Sequence, residues 1–458
     1  MPPSQPTLRK QLTLLDLTLA TILFVVVPDF FGTAVKAGTN HTPLWLAGIA
    51  LFFIPQALIV SHLNKLLPLE GGLYEWARHA FGDAFGFLVA WNIWLYTVLY
   101  ATSAGLITVS YAAYAFNWNA DALTANNKLV FLATAAFLAW LMLTAHVGLG
   151  ISKWVTNAGS AVTIAAITFL ALLPLIKHPI APNYHPLHLS IPPLTLDNFS
   201  VFSKMTFGAL CGLEFTAIFA GESFDARRNL SKAILIAAPV IAALYILGTD
   251  AILAFVSPAE IDIIGPLPQA FRAAFGNTSH IARFVIPAAI LFLLCNYLAS
   301  FTLAFTANTR LPMCAGLDQL VPAWFSKLHT KRATPTNSIL FLGAVILIIS
   351  VFILFGTAPQ EAFATIQIWS FAFYGIAYLA LFAIPIAARR TSQLRCPKPL
   401  QLLAILGFAV TLLFVILSTF PIIEVANRAT YTLKTIAALA ITNAVGYALY
   451  RLHPTQPR

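Results

Sequence analysis

Twelve stretches of about twenty apolar residues run along this 458-residue chain, and most contain no Asp, Glu, Lys or Arg. They cover residues 13–37, 43–63, 85–113, 129–147, 154–176, 200–222, 233–256, 282–307, 337–356, 363–388, 400–420 and 431–450. A helix of about 20 apolar residues crosses the hydrocarbon of a bilayer. Only 9% of the residues are charged and 59% are hydrophobic, whereas a soluble domain carries about 25% charged residues. A chain this apolar cannot cover its core with a polar surface in water. The sequence therefore predicts an all-α membrane protein of twelve transmembrane helices, with the lipid bilayer as its first partner.

The basic residues set the orientation. With the N-terminus in the cytosol, 18 of the 26 Lys and Arg fall on the cytosolic side, which predicts both termini inside a plasma membrane. The net charge of +10 comes from short clusters between apolar runs, so it points to membrane flanks and not to nucleic acid. The four cysteines, Cys211, Cys295, Cys314 and Cys396, have no CxxC spacing, and neither a disulfide nor a metal cage is expected. His178, His185 and His188 in the loop after span 5 lack a matched fourth ligand, so a solvated loop is the expectation. The N-terminal segment lacks the cleavage site of a signal peptide and is expected to be a short cytosolic tail. No HExxH, GxSxG or P-loop pattern occurs in a fitting context; neither an enzyme nor a cofactor is expected.

Two spans carry signals of interruption. In span 1, Pro28 removes a backbone donor and Gly32 follows one turn later, with Asp29 between them. An ionised Asp at mid-span costs about 2.5–3.5 kcal/mol on insertion scales, so it should face a cavity or a partner. Span 6 has Gly208, Gly212 and Gly221, with Glu214 just after the middle glycine. A broken membrane helix exposes carbonyls and amides to a passing solute, and paired breaks in oppositely oriented halves mark an inverted-repeat transporter. A kink with only a structural role, and acids that merely bond the broken backbone, remain the alternatives for each residue taken alone.

The stretch LPLEGGLYEWARHAFG, with Pro68, Glu70, Gly71, Gly72, Tyr74, Trp76, Ala80, Phe81 and Gly82, resembles the turn before span 3 in the amino acid–polyamine–organocation (APC) transporter superfamily. CGLEFTAIFAGESFDARRNLSKAI is similar to that family's broken span 6, and TANTRLPMCAGLDQLVPAWFSKLHTKRATPTNS to its turn after span 8. The resemblance implies a leucine-transporter-like fold with a 5+5 inverted repeat and broken helices 1 and 6. Residues 1–12 would be a cytosolic tail, 13–176 the first repeat, 200–388 the second, 400–450 two additional spans and 451–458 a second tail. It implies secondary transport of amino acids, amines or polyamines by alternating access. A transporter-like sensor that binds the same solutes without net transport is the alternative.

The expected solute-binding residues frame the breaks: Pro28, Asp29, Phe30 and Gly32 in span 1, and Cys211, Gly212, Glu214 and Phe215 in span 6. Tyr96 in span 3, Asn296 in span 8 and Trp369 in span 10 join them as lining residues. Asp29 and Glu214 are also the candidates for a coupling proton. Relatives that take α-amino acids often place a Gly-Ser-Gly-like run at the first break, whose amides hold the carboxylate. Here Val27-Pro28-Asp29 stands there, and an acid at a half-helix N-terminus favours an ammonium group. That shifts the expected solute towards cationic amino acids, amines or polyamines. No Lys lies in residues 160–168 of span 5, which removes one known stand-in for sodium. Glu222 and Asp225 are expected to pair with Arg227, Arg228 or Lys232, and Asp250 to reach water.

Overall fold

The computed structural model describes residues 10–69, 71–176, 184, 186–189, 192–275, 280–311, 321–329, 332, 334–354, 359–387, 394–420 and 428–452. Among these the chain is helical, with one isolated bridge between Leu12 and Ser223. Among the described residues ten helices are long and apolar enough to cross a membrane, and an eleventh span forms if the bent pair Leu14–Val25 and Asp29–Val35 is counted as one. The window of span 9 holds a shorter apolar helix, Thr336–Phe352. Span numbers below follow the sequence windows.

Local chemistry explains the helix starts. Span 1 opens with a capping box: Thr13 accepts from the Asp16 amide, and the Asp16 carboxylate accepts from the Thr13 amide at 2.8 Å. Asn126 caps span 4 and Thr195 caps span 6, each side chain accepting from the amide three residues on. The Gly71-Gly72 pair adopts positive φ values of 96° and 49° and turns the chain into a short helix, Leu73–Phe81. A Cβ on Gly72 would sit 3.0 Å from the Ala217 Cβ, so this turn rests directly on span 6.

Both ends of the bundle are closed over the two breaks. At the near end, where the chain enters span 1, the amides of Gln11 and Leu12 both donate to the Glu222 carbonyl, at 2.8 and 3.0 Å. Glu222 itself pairs across to Arg310 of span 8 at 3.0 Å, both side chains buried. The sequence places its expected partners on the turn after span 6. Instead span 8 ends beside it and supplies the guanidinium. At the far end the helix Pro266–Phe275 lies over the second half of span 1, where a Cβ on Gly32 would come 3.3 Å from the Ile263 Cα. Arg272 fixes this helix by donating to the carbonyls of Tyr114 and Ala115 at 2.7 and 2.9 Å.

Asp250 does not reach water. It is 8% exposed and accepts from the Tyr184 hydroxyl at 2.6 Å and the Leu187 amide at 3.0 Å, with His41 at 3.5 Å. Tyr184 and Leu187 reach it from the connection after span 5. His178 and His185 lie outside the described residues, among which no group of three metal-ligating side chains occurs.

Candidate functional site

Span 1 is bent by 50° between Val25 and Asp29. Span 6 stops its α-helix at Leu210 and resumes as a 3-10 helix at Phe215. Cys211 there is extended, and Gly212 takes φ +110°, a region that L side chains rarely adopt. A Cβ on Gly212 would lie 2.6 Å from the Phe24 ring. The glycine therefore permits both the backbone reversal and the approach of span 1.

Each break is held by a helix of the other half, and the second also by span 10 of its own half. The Tyr245 hydroxyl of span 7 accepts from the Val27 amide at 2.9 Å and donates to the Val25 carbonyl at 2.7 Å. The Gly212 amide donates to the Tyr378 hydroxyl. Gln56 of span 2, with its carbonyl turned to the second break, accepts from the Leu213 amide at 3.0 Å and donates to the Leu210 carbonyl at 2.8 Å. Span 7 thus serves span 1 and span 2 serves span 6, a reciprocal arrangement that suits paired halves. A backbone group freed inside a membrane must find such a partner. Tyr245→Phe removes both of these bonds, leaving the Val27 amide and the Val25 carbonyl only their 3.0 Å bond to each other, and is expected to cost about 1–3 kcal/mol. A lowered thermal midpoint of the detergent-solubilised protein would register this loss; an unchanged midpoint would show that the hydroxyl is dispensable.

Asp29 is the first residue of the second half of span 1 and is 1% exposed. It accepts from Tyr100 of span 3 at 3.1 Å, from Gln367 of span 10 at 2.7 Å and from Tyr297 of span 8. Glu214 is 2% exposed and accepts from Tyr374 and Tyr378 of span 10. Every one of these side-chain partners is neutral. Between the two acids three tyrosines stack. The rings of Tyr100 and Tyr96 are 5.9 Å apart at 8°, and those of Tyr96 and Tyr374 are 4.4 Å apart at 11°. Phe371 stands edge-on to Tyr96, Tyr100 and Phe30. The Phe24 and Phe215 rings stack at 3.9 Å across the breaks. Gly208 gives room to Phe30, whose ring atoms lie where a Cβ would be.

The structure thus brings Pro28, Asp29, Phe30, Tyr96, Cys211, Gly212, Glu214 and Phe215 together, and sets Gly32 just beyond, under the far-end helix. It does not bring Trp369 there: its indole donates to Thr435 of span 12 at 3.0 Å. Asn296 faces Thr163 of span 5, while its neighbour Tyr297 faces Asp29. Tyr100, Tyr297, Gln367, Tyr374, Tyr378, Gln56 and Tyr245 were not anticipated. The i, i+4 pairs Tyr96/Tyr100 and Tyr374/Tyr378, hydroxyls in otherwise apolar spans, were the available signal.

Residues 11–445 match the family described as amino acid permease. An uncharacterized transporter of Legionella pneumophila, lpg1691, is 27% identical over 86% of this chain and 83% of its own. A probable agmatine/putrescine antiporter of Lactococcus lactis, AguD, is 23% identical over 82% of this chain and 78% of its own. The crystal structure of MhsT in complex with L-phenylalanine superposes with a TM-score of 0.61 at 14% identity, covering 90% of this chain and 99% of that one. The likeness to MhsT identifies the leucine-transporter-like fold.

Proposed function

The chain belongs to the amino acid permease family and is a multi-pass secondary transporter, and from that premise we propose that it carries solutes with an ammonium or guanidinium group, cationic amino acids, amines or polyamines. The observation that carries this reading is the pair of buried acids at the breaks, Asp29 and Glu214, whose side-chain partners are all neutral. A buried carboxylate needs a compensating positive charge, and here a proton or a cationic solute supplies it. The stacked Tyr100, Tyr96 and Tyr374 and the edge-on Phe371 give that cation aromatic surface between the acids.

The backbone supports the same reading by what it withholds. Pro28 has no amide, the Val27 amide goes to Tyr245, and the Phe30 and Phe31 amides go to the Val27 and Pro28 carbonyls. At the second break the Gly212 amide goes to Tyr378. Few donors remain for a carboxylate, whereas the acids are well placed for an amine. The name of the Lactococcus lactis relative, an agmatine/putrescine antiporter, is consistent with such a solute.

Proton and solute would compete for the same carboxyls, so that loading one releases the other. This is the basis of proton coupling or of exchange between two cations. Both termini would face the cytosol, where most of the Lys and Arg residues gather.

The test is uptake by purified protein in liposomes. Labelled putrescine, agmatine or arginine should enter and compete with one another, while excess leucine or aspartate should not inhibit. Uptake confined to neutral or acidic amino acids would overturn the amine reading, and binding without any uptake would leave a sensor.

A further inference from the structure

A cavity of about 310 Å³ lies between spans 3, 10, 11 and 12, apart from the two breaks. That volume is at the lower bound of the roughly 300–1,000 Å³ typical of small-molecule pockets. Its walls are almost wholly carbon, from Phe85, Leu88, Ala380, Ala383 and Phe408. Asn92 and Asn443 are its polar lining residues, and the Asn92 amide donates to the Asn443 side-chain carbonyl at 2.7 Å. Phe85 is 58% exposed, so the cavity opens sideways through the surface that faces lipid.

Its apolar walls and the charged ends of two of its helices point to one occupant. Span 11 carries Phe408 into the wall and begins at Lys398, ten residues away or about 15 Å at 1.5 Å per residue. Span 12 carries Asn443 and reaches Arg451 eight residues later, about 12 Å. One leaflet of the roughly 30 Å hydrocarbon layer is about 15 Å thick. The charged ends of spans 11 and 12 therefore lie about one leaflet, measured along the helices, from the lining residues Phe408 and Asn443. Tyr450, beside Arg451, packs its ring 5.7 Å from Phe87 and keeps the end of span 12 against span 3. Lys398 and Arg451 are both exposed at this end, as is Arg395. An apolar slot with exposed cations about one leaflet away at the ends of two of its helices matches an acyl chain below a phosphate.

We propose that this groove is a binding site for an anionic phospholipid, one acyl chain lying between spans 3, 10, 11 and 12 and the phosphate meeting Lys398 and Arg451. The site adjoins the solute site without overlapping it. Ala377 lines the groove on span 10, whose Tyr374 and Tyr378 hold Glu214, and Asn92 lies one turn from Tyr96 on span 3. A bound chain would thus buttress the two helices that present the tyrosines.

Native mass spectrometry of the full chain, released from nanodiscs of phosphatidylcholine mixed with phosphatidylglycerol, tests the proposal. One phosphatidylglycerol should be retained in preference to phosphatidylcholine. Lys398→Gln and Arg451→Gln should each lower its retention about fivefold, at about 1 kcal/mol per basic residue near the surface. Ala380→Phe, which fills the slot, should remove the retained lipid with both cations intact. Equal retention of the two lipids, or retention unchanged in the Lys398→Gln/Arg451→Gln protein, would overturn the site. Loss in that double variant with full retention in Ala380→Phe would also overturn it, leaving a surface contact without a seated chain. The double variant alters only exposed side chains, so the outcome holds even if Ala380→Phe fails to fold.

Discussion

Asp29→Asn is expected to reduce uptake of a cationic solute at least about 30-fold while leaving the protein folded. Truncating one member of a buried, hydrogen-bonded charge pair costs about 2–5 kcal/mol, and 2 kcal/mol corresponds to about 30-fold. The stability of the variant follows from the same geometry. Asparagine keeps one carbonyl, which can still accept from Tyr100 and Gln367 on the oxygen they share, and its amide can donate to the Tyr297 hydroxyl oxygen, so the lattice between spans 1, 3, 8 and 10 keeps hydrogen-bond partners. What it loses is the ability to be negative. Glu214→Gln should act in the same direction and should also alter the pH dependence of uptake, because a carboxamide cannot exchange a proton with the solute. Initial rates of putrescine or arginine uptake into liposomes, measured at several pH values beside a thermal unfolding curve, check both variants. Normal uptake and an unaltered pH profile in both would remove these acids from the mechanism.

Gly212→Ala is expected to be strongly damaging, because among the described glycines Gly212 alone combines a positive φ with a Cβ contact under 3.0 Å. A non-glycine residue at φ +110° carries backbone strain of order 1–3 kcal/mol. The added methyl would also arrive 2.6 Å from the Phe24 ring, and overpacking of this kind costs about 1–3 kcal/mol more. Phe24 has nowhere easy to retreat, since its other face stacks on Phe215 at 3.9 Å. The expected result is a fall of about 2–6 kcal/mol in stability, combining the strain and overpacking terms, and loss of transport. Gly221→Ala is the matched control, because Gly221 is not among the positive-φ glycines. Equal thermal midpoints and equal uptake for the two variants would mean that the second break does not depend on its glycine.

The breaks themselves were legible in the sequence because they are chemical events: a proline without an amide, glycines at a reversal, and acids too costly to bury without purpose. The rotation of the surrounding helices was not legible. Successive residues on a helix point about 100° apart, and spans 3, 8 and 10 are apolar around most of their circumference, so no polar stripe fixes which face turns inward. This explains why Asn296 was chosen where Tyr297 reaches Asp29, and Trp369 where Gln367 does. The long-range pairings were equally silent. Nothing local to Glu222 announces Arg310, which arrives 88 residues later, and nothing near Pro28 announces Tyr245 of span 7. The reciprocal holding of the breaks by spans 2 and 7 emerges only once the two halves are packed together.

Cys211 offers the most direct test of the central claim that solute lodges between the two helix breaks. It sits in the second break, 4% exposed, and the Cys211 sulfhydryl lies against span 6 within reach of the Gly208 carbonyl at 3.7 Å. In a protein with Cys295, Cys314 and Cys396 replaced by alanine, the rate of Cys211 alkylation should fall as transported solute is added, with the same half-saturating concentration as uptake. A Cys211 alkylation rate that ignores saturating amounts of the transported solute would contradict the account.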